Sequence, residues 1–397
     1  MKFEDKLQDV QKSLVMEKLD GWLLYDFRFS NDLACEFLEI PKDKIFTRRF
    51  FYWIPSKGSP VKIVHQVESK NLDHLPGVKW FFLSWKELEG CIANVLKGAK
   101  SVAMEYSPRN AIPDVSKVDG GTIDIVRGCG VGVVSSADLL QKYSCVWDEY
   151  KLQMHLEAAD VLDEAVKKAW DLIAKRVLSG NLITDYEVQQ YLLKKFEENA
   201  CITEDSPICA VNADSADPHF SPKASHPVEI QKGDFVLIDL WCKRNSPRAT
   251  YADITRVGVV DKVSTKQQEK IFSVVKEARD AALELVERKF KRGVPLMGFE
   301  VDVACRQVIE KAGYEKYFIH RTGHNIDIND HGSGCHLDNL ETQDRRMILP
   351  GTCFSIEPGI YLPGEFGIRL EYDVYIGLDS SVRVTGGIQN EIVCMLA

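Results

Sequence analysis

The sequence predicts an α/β N-terminal domain, residues 1–140, followed by a larger α+β domain, residues 141–397. Short strand-like runs alternate with helical stretches in the first third of the chain, which is typical of an α/β layer domain. From residue 135 to about residue 173 the pattern turns helical with few breakers, and we place the junction there. The rest of the chain carries amphipathic helices and separate apolar strand-like runs.

Length, charge and cysteine usage narrow the class of protein. At roughly 150 residues per domain, 397 residues predict two or three domains. The net charge of −9 argues against nucleic acid as a partner. The longest apolar runs, such as 235–240, fall far below the ~18 residues that a membrane span needs. Eleven cysteines without a CxxC pair, and no secretory signal in the first twenty residues, predict a cytoplasmic protein with free thiols.

The N-terminal domain is predicted from its turns and its apolar runs. A turn at 56–59 lies between two of the strand-like runs, which indicates a hairpin. A helical stretch covers 85–97. The predicted strands are 21–25, 49–55, 60–67, 78–83 and 101–106.

The C-terminal domain is predicted in the same way. Thr184 and Glu187 form a capping box that opens a helix to about residue 199, and 264–290 has the spacing of a long amphipathic helix. The predicted strands are 235–241, 251–260, 353–361, 367–376 and 392–396.

Four acidic residues follow or interrupt apolar strand-like runs in this domain: Asp239, Asp253, Glu357 and Glu371. Ionised carboxylates that share a buried site repel one another unless a multivalent cation compensates them. Six of the nine histidines lie between residues 219 and 336, which also indicates a site. Carboxylates with a histidine suit manganese, cobalt or zinc, so the sequence predicts two divalent ions that share the acids.

Three segments, 320–324, 355–361 and 367–373, resemble the metal-site motifs of the "pita-bread" metallopeptidases. That family includes prolidase, aminopeptidase P, methionine aminopeptidase and the metal-free creatinase. The resemblance covers roughly residues 145–397. The preceding α/β domain is similar to the smaller N-terminal domain of prolidase, aminopeptidase P and creatinase.

The resemblance implies a role for each matching residue. The family's five metal ligands fall on Asp239, Asp253, His324, Glu357 and Glu371. In the family, the residues that match Asp253 and Glu371 bridge the two metals.

The resemblance also implies the residues that act on the substrate. Glu357 would handle the proton of the attacking water, and His320 and His331 would hydrogen-bond the carbonyl or the developing oxyanion. His219 and Arg369 would help to fix the end of the substrate.

The implied function is hydrolysis of Xaa-Pro bonds by a hydroxide that bridges two metal ions, manganese first, with cobalt or zinc as alternatives. The substrate would be a dipeptide, as for prolidase, or a peptide N-terminus, as for aminopeptidase P. The resemblance further implies a homodimer. Two alternatives stay open: a binding or regulatory protein of the same fold that cuts nothing, and a hydrolase of a non-proline amide.

The sequence departs from the family pattern near the substrate. Asp239 and Asp253 are 14 residues apart, about three more than usual, so the hairpin around 242–250 is expected to be longer. Asn325, Asp327 and Gly332 replace residues of the usual motif. For Asp327 we weigh a polar contact near the metals against a solvated loop acid and favour the latter. We expect surface positions for His226 and His336, and buried, unreactive thiols for Cys335 and Cys353.

Overall fold

The structure is a computed structural model that describes residues 3–41 and 44–397. The chain divides into two compact units, Met1–Ser144 and Cys145–Ala397. The boundary predicted from the sequence, between residues 140 and 141, falls inside the last helix of the first unit. No helix in the described ranges is long and apolar enough to cross a membrane.

The first unit is an α/β layer structure. Its strands form a sheet in the order β4-β3-β2-β1-β5-β6, with β1, β2 and β3 antiparallel and the other neighbours parallel. The elements are α1 (Phe3–Met16), β1 (Gly21–Asp26), α2 (Asp32–Phe37), β2 (Phe50–Pro55), β3 (Val61–His65), β4 (Val78–Phe82), α3 (Trp85–Val95), β5 (Ser101–Met104), α4 (Gly120–Gly128), β6 (Gly132–Ser135) and α5 (Ala137–Ser144).

Both faces of this sheet are covered. Alternate residues of β1 belong to two separate cores, with Trp22 and Leu24 in one and Leu23 and Tyr25 in the other. A strand whose residues are all buried has this two-sided pattern because successive side chains point to opposite faces. The predicted hairpin is confirmed as β2 and β3.

The second unit combines helices with two larger sheets and a hairpin. Its elements are α6 (Glu149–Leu178), α7 (Asp185–Glu198), β7 (Cys201–Ile202), β8 (Ile208–Val211), β9 (Phe235–Arg244), β10 (Tyr251–Val259), α8 (Lys266–Lys291), α9 (Gly298–Lys311), β11 (Asn325–Ile326), β12 (Cys353–Ile356), β13 (Gly359–Leu362), β14 (Phe366–Arg369), β15 (Tyr372–Ile376), β16 (Val382–Thr385) and β17 (Val393–Cys394).

The sheets of this unit pair distant parts of the chain. One sheet has the order β17-β10-β9-β7, with β8 also paired to β9. The other has the order β11-β12-β15-β16, and β13 pairs with β14 as a separate ribbon. The predicted capping box of Thr184 and Glu187 opens α7, with both reciprocal hydrogen bonds present.

Two predicted elements are interrupted. The helical region from residue 135 breaks after Ser144, and α6 starts afresh because the Asp148 side chain accepts a hydrogen bond from the backbone N–H of Lys151. The predicted strand 353–361 breaks at Glu357 and Pro358, since proline has no N–H to offer the sheet. The second break positions a carboxylate of the site described next.

Candidate metal centre and active site

The hairpin of β9 and β10 presents polar side chains on one face. Val236, Ile238 and Ile254 pack into a core with α6 and α7. Because side chains alternate along a strand, Asp239 and Asp253 point to the opposite face. The antiparallel register puts Thr255 directly across from Asp239. Asp239 lies within the strand and not at its end, which corrects the sequence-based expectation.

Glu357 and Glu371 come from another pair of strands. Ile356 pairs with Tyr372 in one sheet, and Gly359 pairs with Arg369 in the ribbon that follows. When the same strand pairing is continued across the residues between the sheet and the ribbon, Glu357 lies opposite Glu371. The two carboxylates therefore occupy the break between the sheet and the ribbon, where their backbones are not held in a ladder.

His324 is fixed beside the same break. The backbone N–H of His324 donates to Ser355 Oγ at 3.0 Å, and the backbone carbonyl of His324 accepts from the Ser355 N–H at 2.9 Å. The preceding residue must be glycine, because a Cβ at Gly323 would lie 1.9 Å from the Ser355 carbonyl oxygen. This close backbone approach brings the imidazole to the carboxylates.

The five residues matched by the resemblance meet in one buried place. His324 Nε2 lies 3.7 Å from Asp253 Oδ2 and 3.5 Å from Glu357 Oε1. Ligand atoms of Asp253, His324 and Glu371 lie within 4.8 Å of one another. Asp253 Oδ1 and Glu371 Oε1 are buried and have no hydrogen-bond partner in the described part of the chain. Buried carboxylate oxygens without hydrogen-bond partners are suited to bind a cation, so these residues can form a metal centre.

The electrostatics of these side chains agree with that fit. Burial and mutual repulsion raise the pKa of Asp253 and of Glu371 well above the ordinary values. Burial, together with Asp239, raises the pKa of Glu357 to about 7, although Arg369 opposes this shift. Burial lowers the pKa of His324, which keeps the imidazole neutral and able to act as a ligand.

Arg369 links the carboxylates to His320. Its Nη2 donates to Asp239, and its Nη1 donates to the Tyr361 hydroxyl at 2.9 Å. The Tyr361 hydroxyl donates to His320 Nε2 at 2.7 Å, and His320 Nδ1 donates to the Arg321 carbonyl at 2.7 Å. Burial and Arg369 lower the pKa of His320 to about 3. Both ring nitrogens of this neutral histidine are thus engaged within the protein.

A cavity of about 630 Å³ opens over the carboxylates. All of the predicted site residues line it. The His331 ring lies against the His324 ring, with centroids 4.0 Å apart and planes tilted by 42°, and 62% of the His331 side chain is exposed. His219 is exposed at the rim of the same cavity. The structure therefore brings the predicted ligands and the predicted substrate-side residues together.

Two departures from the family pattern compensate each other. The Gly332 N–H donates to the Asn325 carbonyl at 2.8 Å, and the Gly334 N–H donates to Asn325 Oδ1 at 2.9 Å. A Cβ at Gly332 would lie 2.3 Å from Asn325 Oδ1. The asparagine amide thus fills the space that a side chain at position 332 would need, and neither change removes a site residue.

Asp327 is not a solvated loop acid, so the favoured expectation is wrong. It is 4% exposed, and its Oδ1 accepts from Lys151 Nζ at 2.6 Å. The ion pair compensates the buried charge of each partner and ties the loop to α6. His336 is also buried, contrary to expectation, because its Nδ1 accepts the Asn325 N–H. His226 is exposed, and Cys335 and Cys353 are buried, as expected.

Sequence reasoning missed four residues of the site: Thr255, Tyr361, Asp330 and Tyr251. Thr255 Oγ1 lies 2.6 Å from Glu371 Oε2 and 2.9 Å from Asp239 Oδ1. Thr255 and Tyr251 each lie two residues from Asp253, so strand alternation places both on its face. That alternation was the signal that could have found them, whereas nothing in the sequence singles out Asp330.

Comparisons with known proteins match this architecture. The sequence profile of Metallopeptidase family M24 matches residues 153–377. The Xaa-Pro dipeptidase of Lactobacillus helveticus is 32% identical over 245 residues, which are 60% of this chain and 58% of that protein. The chain thus matches less than two thirds of the length of this curated relative.

Two solved structures match nearly the whole chain. Dipeptidase PepE of Mycobacterium ulcerans has a TM-score of 0.71 and 20% identity, with 99% of this chain and 98% of that chain covered. The prolidase of Thermococcus sibiricus has a TM-score of 0.64 and 23% identity, with 99% of each chain covered. These likenesses confirm the predicted fold class, a pita-bread domain preceded by a smaller α/β domain.

Proposed function

The chain belongs to metallopeptidase family M24, and we propose that it uses two divalent metal ions to hydrolyse Xaa-Pro bonds. The observation that carries the proposal is the set of buried carboxylate oxygens without partners, beside a neutral histidine at the floor of a peptide-sized cavity. The relative from Lactobacillus helveticus, named an Xaa-Pro dipeptidase, supports the choice of substrate.

The residues that would hold the metals are Asp239, Asp253, His324, Glu357 and Glu371. When bound, such ions lower the pKa of water and polarise the scissile carbonyl. Manganese, cobalt and zinc all suit this oxygen-rich set. Arg369 donates to Asp239, and the Thr255 hydroxyl, which accepts from Arg369 Nε, has one proton to donate and lies nearest to Glu371 Oε2, at 2.6 Å.

Glu357 would move the proton of the attacking water. Its carboxylate lines the cavity over the proposed metal ligands, where it can accept a proton from the water and release it within one reaction cycle. With both metal sites saturated, Glu357→Gln should lower kcat about 100- to 10,000-fold. Full turnover of this variant at saturating metal would remove Glu357 from the role.

The histidines would act on the substrate from the wall of the cavity. His331 and His219 are exposed there, so their rings can reach a carbonyl or a carboxylate. His320 has both nitrogens engaged, and a direct contact with the substrate requires Tyr361 to give up its hydrogen bond. His320 also has a second role. Its hydrogen bond to Tyr361, and that of Tyr361 to Arg369, help to position Asp239.

Two alternative functions stay open beside this proposal. Gly332 and Asp327 are the best sequence support for a non-catalytic protein, and the same departures on the substrate side are the support for a non-proline hydrolase. These residues pack against one another or against Lys151 and leave the five matched residues in place. A homodimer and a cytoplasmic location stay predictions.

A substrate panel tests the proposal. Protein loaded with manganese would be given Ala-Pro, Ala-Pro-Ala-Ala and Ala-Ala, and each product would be quantified. Cleavage of Ala-Pro alone assigns a dipeptidase, and cleavage of the longer peptide after alanine assigns an aminopeptidase. Cleavage of Ala-Ala at the same rate as Ala-Pro, or of no peptide, would contradict the proposal.

A further inference from the structure

One end of the cavity carries aromatic and acidic side chains that the proposed chemistry does not use. Trp241 pairs across the hairpin with Asp253, and Tyr251 precedes Asp253 by two residues. Both rings therefore lie on the same face as the metal-site carboxylates, on the side toward the hairpin turn. Glu204 and Asp330 line the cavity with them.

Two buried side-chain oxygens at this end of the cavity have no hydrogen-bond partner at bonding distance in the described part of the chain. Tyr251 is 1% exposed, and its hydroxyl has no hydrogen-bond partner at bonding distance among residues 3–41 and 44–397. Burial raises the pKa of Tyr251, the carboxylates of Glu204 and Asp330 are close enough to raise it further, and the backbone N–H of Glu204 is close enough to lower it. Asp330 Oδ1 is likewise buried without a partner in those ranges. A ligand that donates several hydrogen bonds would satisfy these oxygens.

The cavity also stays negative after the proposed metals are counted. Two divalent cations offset the four carboxylates of the metal set. Four other acids line the cavity, against two arginines, and Lys243 lies beside this end with its Nζ 4.7 Å from the centre of the Tyr251 ring, so one negative charge remains. The lining acids outside the metal set are Glu204, Asp205, Asp330 and Glu341.

We propose that Trp241, Tyr251, Glu204 and Asp330 form a subsite for a positively charged side chain on the first residue of an Xaa-Pro substrate. An ammonium group offers three donors, which match the Tyr251 hydroxyl and the carboxylates of Asp330 and Glu204. A cation is also attracted to the face of an indole ring such as that of Trp241, whereas the Tyr251 ring already has the Lys243 ammonium over it. Lysine or arginine is therefore the preferred first residue.

The chemistry of the substrate places the cation on that residue. The proline ring carries no charge, and the acids would repel the terminal carboxylate of a dipeptide. The α-ammonium group is common to every Xaa-Pro dipeptide, so the side chain of the first residue is the variable group that can bring a second positive charge to this end. The inference rests on the proposed function and names its substrate class.

The experiment compares dipeptides that differ in one charge. Lys-Pro and norleucine-Pro have side chains of similar length, and only lysine carries an ammonium group. For the metal-loaded full chain, kcat/KM should be about 10- to 100-fold higher for Lys-Pro, which is the range of one charge-assisted contact. Asp330→Asn should remove most of the difference in kcat/KM between Lys-Pro and norleucine-Pro, whatever its effect on the cleavage of norleucine-Pro itself.

Two further variants serve as checks. Glu204→Gln should lower the ratio of kcat/KM for Lys-Pro to that for norleucine-Pro by a smaller factor than Asp330→Asn does. The reason is that Glu204 is exposed and its charge is screened by solvent. Asp171→Asn makes the same chemical change on the exposed surface of α6 and should leave the ratio unchanged.

The outcomes separate this inference from the proposed function. Equal kcat/KM for Lys-Pro and norleucine-Pro in the unmodified protein would overturn the subsite and leave the peptidase intact. Failure to cleave any Xaa-Pro dipeptide would overturn both. Atoms of His324, Asp330 and His331 also lie within 4.8 Å of one another. A loss of bound metal in Asp330→Asn, with both substrates slowed equally, would make Asp330 a metal ligand and overturn the subsite.

Discussion

Thr255 offers a direct test of how the protein holds its proposed metal ligands. Thr255→Val keeps the shape and the strand preference of the side chain and replaces the hydroxyl by a methyl group, which can neither donate nor accept a hydrogen bond. Glu371 Oε2 then loses a neighbour at 2.6 Å, and Arg369 Nε loses its acceptor at 3.0 Å. Loss of a group that orients metal ligands lowers metal affinity about 10- to 100-fold, which is about 1.4 to 2.8 kcal/mol.

The affinity would be measured by titrating chelator-stripped protein with manganese in a calorimeter. Thr255→Ser is the matched control, because it retains the hydroxyl and should bind within about threefold of the original affinity. An unchanged affinity for Thr255→Val would refute the reasoning that this hydroxyl orients Glu371. A loss of affinity in both variants would point to the methyl group and not to the hydrogen bonds.

Three other predictions concern stability. Lys151→Met leaves the buried Asp327 carboxylate without its ion-pair partner. It should therefore lower the unfolding free energy, measured by urea titration, by about 3 to 5 kcal/mol. An unchanged urea midpoint would contradict a buried ion pair. Burial lowers the pKa of His155 to about 4, below the ordinary 6.5. The unfolded chain therefore binds the proton first, and acidification from pH 6.5 to 5 should destabilise the protein by about 1.6 kcal/mol relative to His155→Gln. Parallel pH profiles of the two proteins would refute this. The raised pKa of Glu357 means that the metal-free protein loses stability as the pH rises toward 7. Manganese should therefore raise Tm more at pH 8 than at pH 5.5, and a larger effect at pH 5.5 would contradict the assignment.

Local patterns predicted much of the fold because they have local causes. The capping box at Thr184 and the apolar spacing of α8 depend on residues within a few positions, so their helices were found. The break before α6 was missed although Asp148 is an N-cap residue, because the surrounding pattern looked helical on both sides. The predicted strand across Pro358 failed because apolar residues continue on each side of the proline.

The positions of the site residues could be predicted where the residues belong to a sequence motif, but not where they depend on packing between distant parts of the chain. The five matched residues and their neighbours lie together as expected. Asp327 was misjudged because its partner, Lys151, is 176 residues away. The match between Asn325 and Gly332 likewise arises from a loop that folds back on itself, and sequence spacing alone does not show it.

Metal reconstitution shows whether peptide cleavage depends on two bound ions. Chelator-stripped protein would be titrated with manganese while bound metal and hydrolysis of Lys-Pro and Ala-Pro are followed in the same samples. The account predicts about two tightly bound ions per chain, with cleavage that depends on them. Full cleavage by protein shown to be free of metal, or two bound ions without cleavage of either dipeptide, would contradict it.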